Sequence, residues 1–328
     1  MKWVDRHCTL KSCCMTTKIA RSALPRRAAL VCAAAASIRW PTARPAMAAM
    51  DLSSRLDATS LTPPLGTESM PGDLRYPAWL AGTWRVTNRG DGFSMPLGPR
   101  FVDPELVAEA RKAVRLQYGA RFTKAPLLAG WPSLSVRQDR RFNEMQEEGA
   151  FISSGGFVVE RGTYACDDAH PHGTVLLDVL DTDVAGQGLL RSAANGAVDV
   201  RPTFRFKTAV DILWASWELT DDAFTTSELT VQRQLVPGAN GKSEEVDVTF
   251  LELLTRYERP ASDQPRVVRA RYRVVQYLNL NIPGVAAPVA VTRAARELEK
   301  KAAGQAISIL DYDLLMEAVG EDAGSEGS

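Results

Sequence analysis

The stretch Tyr76-Pro77-Ala78-Trp79-Leu80-Ala81-Gly82-Thr83-Trp84-Arg85-Val86-Thr87 decides how the rest of the chain is read. From Gly82 the side chains alternate. Trp84 and Val86 face one way, and Thr83, Arg85 and Thr87 the other, which is the period of a half-buried strand. Gly82 lets the backbone bend tightly into that strand, and Trp84 supplies a bulky apolar plug. A small β-barrel starts in this way, because one end of its tube has to be filled.

Downstream of this strand, alternating or apolar runs recur between turn signals: 114–123, 134–145, 151–164, 174–180, 189–194, 198–208, 214–219, 225–236, 245–257, 266–278 and 307–319. Asn195-Gly196 is a hairpin-type turn, and Gly238-Ala239-Asn240-Gly241-Lys242 a loop. The pattern predicts an all-β fold, a single antiparallel sheet closed into a barrel of about eight to ten strands, since closure removes exposed edges. Helix is scarce. Asp103 and Pro104 suit a short helix over 104–112, and 289–303 reads as the one long helix, polar over most of its surface and stopped by Gly304.

Upstream, 49–75 carries Pro63-Pro64, Gly66, Pro71 and Gly72 and reads as an extended linker. Residues 1–48 hold nine Lys and Arg but one acid, Asp5, the composition of a targeting leader. Within it Arg26-Arg27 precede an apolar run over 28–38, and Ala46-Met47-Ala48 resembles a cleavage site. That run is shorter than the ~20 residues a membrane span needs, so it reads as a signal core and no transmembrane segment is expected in the mature chain. A basic stretch ahead of such a unit resembles the two-part leaders of thylakoid-lumen proteins, and a bacterial export signal is the alternative. The expected mature domain is 76–319, including the helix 289–303, with a small acidic tail at 320–328 that reads as disordered.

Without the leader the balance is 30 Lys and Arg (39 less nine) against 38 Asp and Glu (39 less one). A chain of that sign has no electrostatic footprint for nucleic acid. Cys166 is then the single cysteine, so no intramolecular disulfide forms.

Chemistry is thinly marked. Cys166, His170 and His172 form the one cluster with metal-ligand residue types, without a second Cys or His pair, and they read as a solvated loop between strands. Ser153-Ser154-Gly155-Gly156 is not a nucleophile elbow, and no glycine-rich phosphate loop joins a strand to a helix. Asp221-Asp222 and Glu244-Glu245 lie beside turns as solvated charges. No catalytic residue and no cofactor is assigned. The aromatic side chains are the better signal: Trp84, Phe204, Phe206, Trp217 and Tyr272 are the candidates for lining a barrel interior that holds a lipophilic molecule.

Gly82-Thr83-Trp84 resembles the first-strand signature of the calycins, the lipocalins and fatty-acid-binding proteins. The resemblance implies that Trp84 closes the barrel floor and packs on an arginine from a late strand. Arg269, Arg271 and Arg273 are the candidates, and Arg271 joins Gly82, Thr83 and Trp84 in the closure set. A wider resemblance, carried by 76–84, Asp139-Arg140-Arg141-Phe142-Asn143 and 267–277, is to an uncharacterised family of cyanobacterial and plastid proteins, a domain of unknown function. That family carries no established activity, and leader, barrel and aromatic set together lead to the expectation of a non-enzymatic thylakoid-lumen protein that binds a pigment, quinone or lipid. The alternative is an accessory protein of the photosynthetic membrane that works by protein contact, and a calycin-type enzyme ranks third.

Overall fold

A computed structural model describes residues 51–64, 69, 72–102, 107, 115–126, 133–153, 157–167, 171–181, 205–237, 243–278, 297, 300–302 and 304–320. The leader 1–48, Phe204, His170, Asn195-Gly196, most of 289–303 and the tail after Gly320 lie outside the described residues. The strands are β1 (Tyr76–Pro77), β2 (Gly82–Ser94), β3 (Arg115–Lys124), β4 (Leu134–Gln138), β5 (Phe157–Ala165), β6 (Thr174–Asp181), β7 (Arg205–Leu219), β8 (Ala223–Pro237), β9 (Ser243–Glu258), β10 (Val267–Tyr277) and β11 (Ala306–Ala318). Among the elements described in full are two helices, α1 (Leu52–Asp57) and α2 (Arg140–Ile152).

All eleven strands join one antiparallel sheet in the order β1-β4-β3-β2-β11-β10-β9-β8-β7-β6-β5. The all-β, barrel-like fold is therefore the one expected, with eleven strands curled into a half-barrel. The last strand, β11, enters between β2 and β10, pairing Met316 with Val86 on one side and with Val268 on the other. The sheet ends at β1 and β5. α2 connects β4, near one edge, to β5 at the other, and packs on both β3 and β5. A helix thus fills the opening that a closed barrel would have sealed with strand pairing.

The sequence 134–145 reads as one strand but divides at Asp139. The Asp139 carboxylate accepts the Phe142 N–H at 3.2 Å, capping α2. The helix then seats on the sheet through glycines. A Cβ on Gly162 of β5 would stand 2.8 Å from Met145, and one on Gly119 of β3 would stand 3.2 Å from Phe142. Asn143 works like an extra strand residue, accepting the Arg121 N–H at 2.7 Å while its own amide donates to the Arg121 carbonyl.

Both faces of the sheet carry a buried apolar cluster. The concave face holds Trp84, Val86, Phe122, Val136, Phe224, Val268 and Met316, with Tyr118, Trp217, Tyr272 and Tyr312 packed against them. The convex face holds Trp214, Leu229, Phe250, Leu254, Val275, Tyr277 and Ile309, and there Leu56 and Leu61 from the N-terminal segment close over them. Residues 49–75, read as a linker, therefore include a docked strap. Leu52 and Leu56 are each 1% exposed, one turn apart on α1. Double coverage explains why β8 is buried residue after residue from Ala223 to Val231, polar side chains included.

Candidate functional site

On the concave side α2 turns one face toward the sheet. Arg140, Asn143, Glu144 and Glu147, spaced at i, i+3, i+4 and i+7, line a half-open cavity of about 80 Å³. The opposite wall carries Tyr76, Tyr118, Phe122, Tyr257 and Tyr272, with Val86, Leu314 and Met316 between them. Tyr76 is the hub of the aromatic wall. Its ring lies edge-on to Phe122 at 5.2 Å, to Phe224 at 5.4 Å and to Tyr257 at 6.2 Å. Tyr272 stacks on Tyr312 at 5.8 Å.

The polar end of the cavity is organised around Arg140, which is 3% exposed. Its guanidinium forks onto Glu228 of β8, with Nη1 donating to Oε2 at 2.9 Å and Nη2 to Oε1. The same group reaches Asp73 through Nε and Nη2 at 3.0 and 2.9 Å. Burial opposes its charge, but Glu228 and Asp73 outweigh burial and hold Arg140 as a cation. Four of its five N–H donors are thereby spent within the protein.

Among the described residues the carboxylates along α2 form no such ion pair. Burial raises Glu144 to about 7, with Arg140 easing it and Glu228 and Glu148 adding to it. Burial raises Glu147 to about 8, helped by Glu144 and Glu148 and relieved a little by a hydrogen bond from Tyr272. Glu148 rises to about 7 through burial alone. All three remain partly open to solvent, so they sit in a cleft rather than in packed core.

Of the interior aromatics expected from sequence, Trp84, Phe206, Trp217 and Tyr272 are described. Trp84 is buried in the concave cluster, its indole N–H donating to the Leu80 carbonyl at 2.8 Å. Trp217 packs beside Phe224, and Phe206 meets Phe157 edge-on toward the β5 edge. Tyr272 alone among them lines the cavity. The other wall residues, Tyr76, Tyr118 and Tyr257, and all of the α2 residues were not singled out as interior. The helical spacing of Arg140, Asn143, Glu144 and Glu147 was the signal that was there to be read.

The closure set needs correction at Arg271. Val268, Ala270 and Tyr272 face the concave cluster with Trp84, so Arg271 stands on the opposite face of β10. It bonds Asp57 at 2.8 Å, out of reach of Trp84. Arg273 holds Asp311 at 2.6 Å and donates to the carbonyls of Arg55 and Ala58. These arginines fasten the strap. Gly82 has φ 125°, the tight entry expected of it.

Cys166 is exposed, its thiol donating to the Pro171 carbonyl at 3.4 Å. Both nitrogens of His172 are engaged, Nδ1 with the Gly72 carbonyl and Nε2 with Ser69 Oγ, each at 3.2 Å. Ser69 Oγ also accepts the Ala215 N–H at 3.1 Å, so this group clips the chain before β1 onto β7. Among the described residues no group of three or more His, Cys, Asp or Glu side chains is placed to hold a metal ion. No helix among them is long and apolar enough to cross a membrane.

Fold and site together define an antiparallel half-barrel whose opening is plugged by a helix, with an aromatic and acidic cleft beneath it. Residues 68–167 match the model of a family described as a domain of unknown function, DUF6816, in keeping with the resemblance to an uncharacterised family. The match runs from just before β1 through β5. No curated protein and no solved structure matches the chain.

Proposed function

We propose that the protein is a non-enzymatic binding module that takes a small molecule into the cleft between α2 and the concave face of the sheet. The observation that carries this reading is a cavity with one aromatic wall and one polar wall. Tyr76, Tyr118, Tyr257 and Tyr272 face Arg140, Asn143, Glu144 and Glu147 across it. Ligand sites have this composition, apolar surface for affinity and a few placed polar groups for orientation.

Size sharpens the reading. The space of about 80 Å³ is well below the roughly 300–1,000 Å³ of a drug-sized ligand site. A headgroup fits the cleft as it stands, whereas a whole pigment, quinone or lipid requires α2 to lift from β3 and β5. The basic leader and its apolar core support the thylakoid lumen as the compartment. Native mass spectrometry of the protein purified from its source, with solvent extraction of bound matter, tests the binding reading. A stoichiometric small molecule is the expected result. A clean apo mass, with no thermal stabilisation by any member of a panel of amines, alcohols, quinones and lipids, overturns it.

A further inference from the structure

We infer that the cleft is built for an organic ammonium group, held between the tyrosines and the carboxylates of α2. This inference rests on the binding reading above and specifies its ligand class.

Two features of different chemistry converge. First, Glu144 and Glu147 face the cavity with no side-chain cation left for them among the described residues, because the guanidinium beside them is divided between Glu228 and Asp73. Once ionised, such a pair in a half-buried cleft attracts a positive group. Second, the wall opposite is aromatic. Tyr118, Tyr257 and Tyr272 line it, and Tyr312 stacks behind Tyr272. Ring faces attract an ammonium group and exclude water from it, as in the aromatic cages that bind quaternary ammonium ligands.

Charge makes the binding pH-dependent. The groups facing Glu147 are Glu144, Glu148 and Arg140 from α2, Tyr118 from β3, Tyr257 from β9, Tyr272 from β10 and Glu228 from β8. Of these Arg140 alone is positive, and it is already paired. Since Glu147 ionises only at about 8, each pH unit below that leaves about tenfold fewer charged sites for a cation to meet.

Calorimetric titration of the full chain with butylammonium chloride, run against butan-1-ol of nearly equal shape, tests the inference. Saturable butylammonium binding is expected, about tenfold tighter at pH 7 than at pH 6, with none for the alcohol. E147Q is expected to weaken it roughly tenfold or more. The variant stays folded because glutamine has the shape of the neutral carboxyl group that Glu147 carries below about pH 8, and its melting curve verifies that. Equal binding of both probes, or equal butylammonium binding by wild type and E147Q, overturns the ammonium inference and leaves the binding module standing. Saturation by calcium chloride in place of butylammonium overturns it in favour of a metal site. If neither probe binds while a neutral molecule co-purifies, the inference alone fails. If neither binds and nothing co-purifies, both readings fail.

Discussion

Arg55 of α1 donates to the Glu252 carboxylate of β9 from Nε at 3.0 Å and from Nη2 at 2.5 Å, across 197 residues of sequence. Glu252 is 0% exposed and also accepts from Ser227 Oγ at 2.8 Å and the Tyr277 hydroxyl at 2.6 Å. A buried carboxylate so fully satisfied depends on its cation. R55M keeps the side-chain bulk but strands the charge, and is expected to cost about 3–5 kcal/mol. Urea unfolding followed by tryptophan fluorescence reads the loss. An unchanged midpoint would show that the strap is not anchored there.

The contact of α2 with β5 gives a second expectation. G162A places a methyl 2.8 Å from Met145 Cγ, a part of the side chain with little freedom to yield. Overpacking of this kind costs about 1–3 kcal/mol. The double variant G162A/M145A is expected to recover part of that loss, because the two residues share one space. Simple additivity in the same unfolding assay would place the clash elsewhere.

Protonation of the α2 carboxylates gives a third. Glu147 ionises at about 8 in the folded protein against 4.5 for the unperturbed group, so the folded state holds the extra proton between those values. Stability attributable to this group is fully present below about pH 4.5 and falls as pH rises toward 8, the opposite of an ion-paired carboxylate. Glu144 and Glu148 act in the same direction over a narrower range, both ionising at about 7. Melting temperature measured across this range is therefore expected to decline more steeply in wild type than in E147Q. Parallel curves would count against a buried Glu147.

Trp84 supports a fourth. W84F removes the donor to the Leu80 carbonyl and leaves a small void in the concave cluster. The expected cost is about 1–3 kcal/mol from the unmet carbonyl. W84A, which empties the site, is expected to lose about 3–5 kcal/mol. If W84F melts like wild type, the indole bond contributes nothing.

The sheet was legible because strand periodicity survives in the sequence. Val268, Ala270 and Tyr272 alternate with Arg269, Arg271 and Arg273, and β10 shows that same division between its two faces. The cleft was far less legible. Its polar wall depends on Asp139, a single side chain that ends β4 and caps α2. The residues after it, Arg140-Arg141-Phe142-Asn143, resemble an alternating strand as readily as a first helical turn. The helical evidence is Glu144 to Glu148, where the polar spacing continues without strand formers. The strap was obscured by the prolines and glycines that follow it. Asp51 accepting the Ser54 N–H, with Leu52 and Leu56 one turn apart, was the counter-signal. Arg271 was assigned to Trp84 through resemblance, whereas the alternation of β10 alone excludes it.

The position of β11 has a bearing on biosynthesis. Without Ala306–Ala318 nothing pairs β2 with β10, and the sheet consists of two blocks, β1-β4-β3-β2 and β10 to β5, each with an unpaired edge at the seam. The strand that seams them is the last of the eleven to leave the ribosome. The stretch 68–167 that matches the family model contains both outer edges and the bridging helix, but none of this seam. Tyr272 and Leu314 come from strands flanking or forming the seam, while Tyr118 and Glu147 come from the first half of the chain. A truncation before residue 306 removes the strand that joins the two blocks and, with Leu314 and Met316, part of the wall of the cleft.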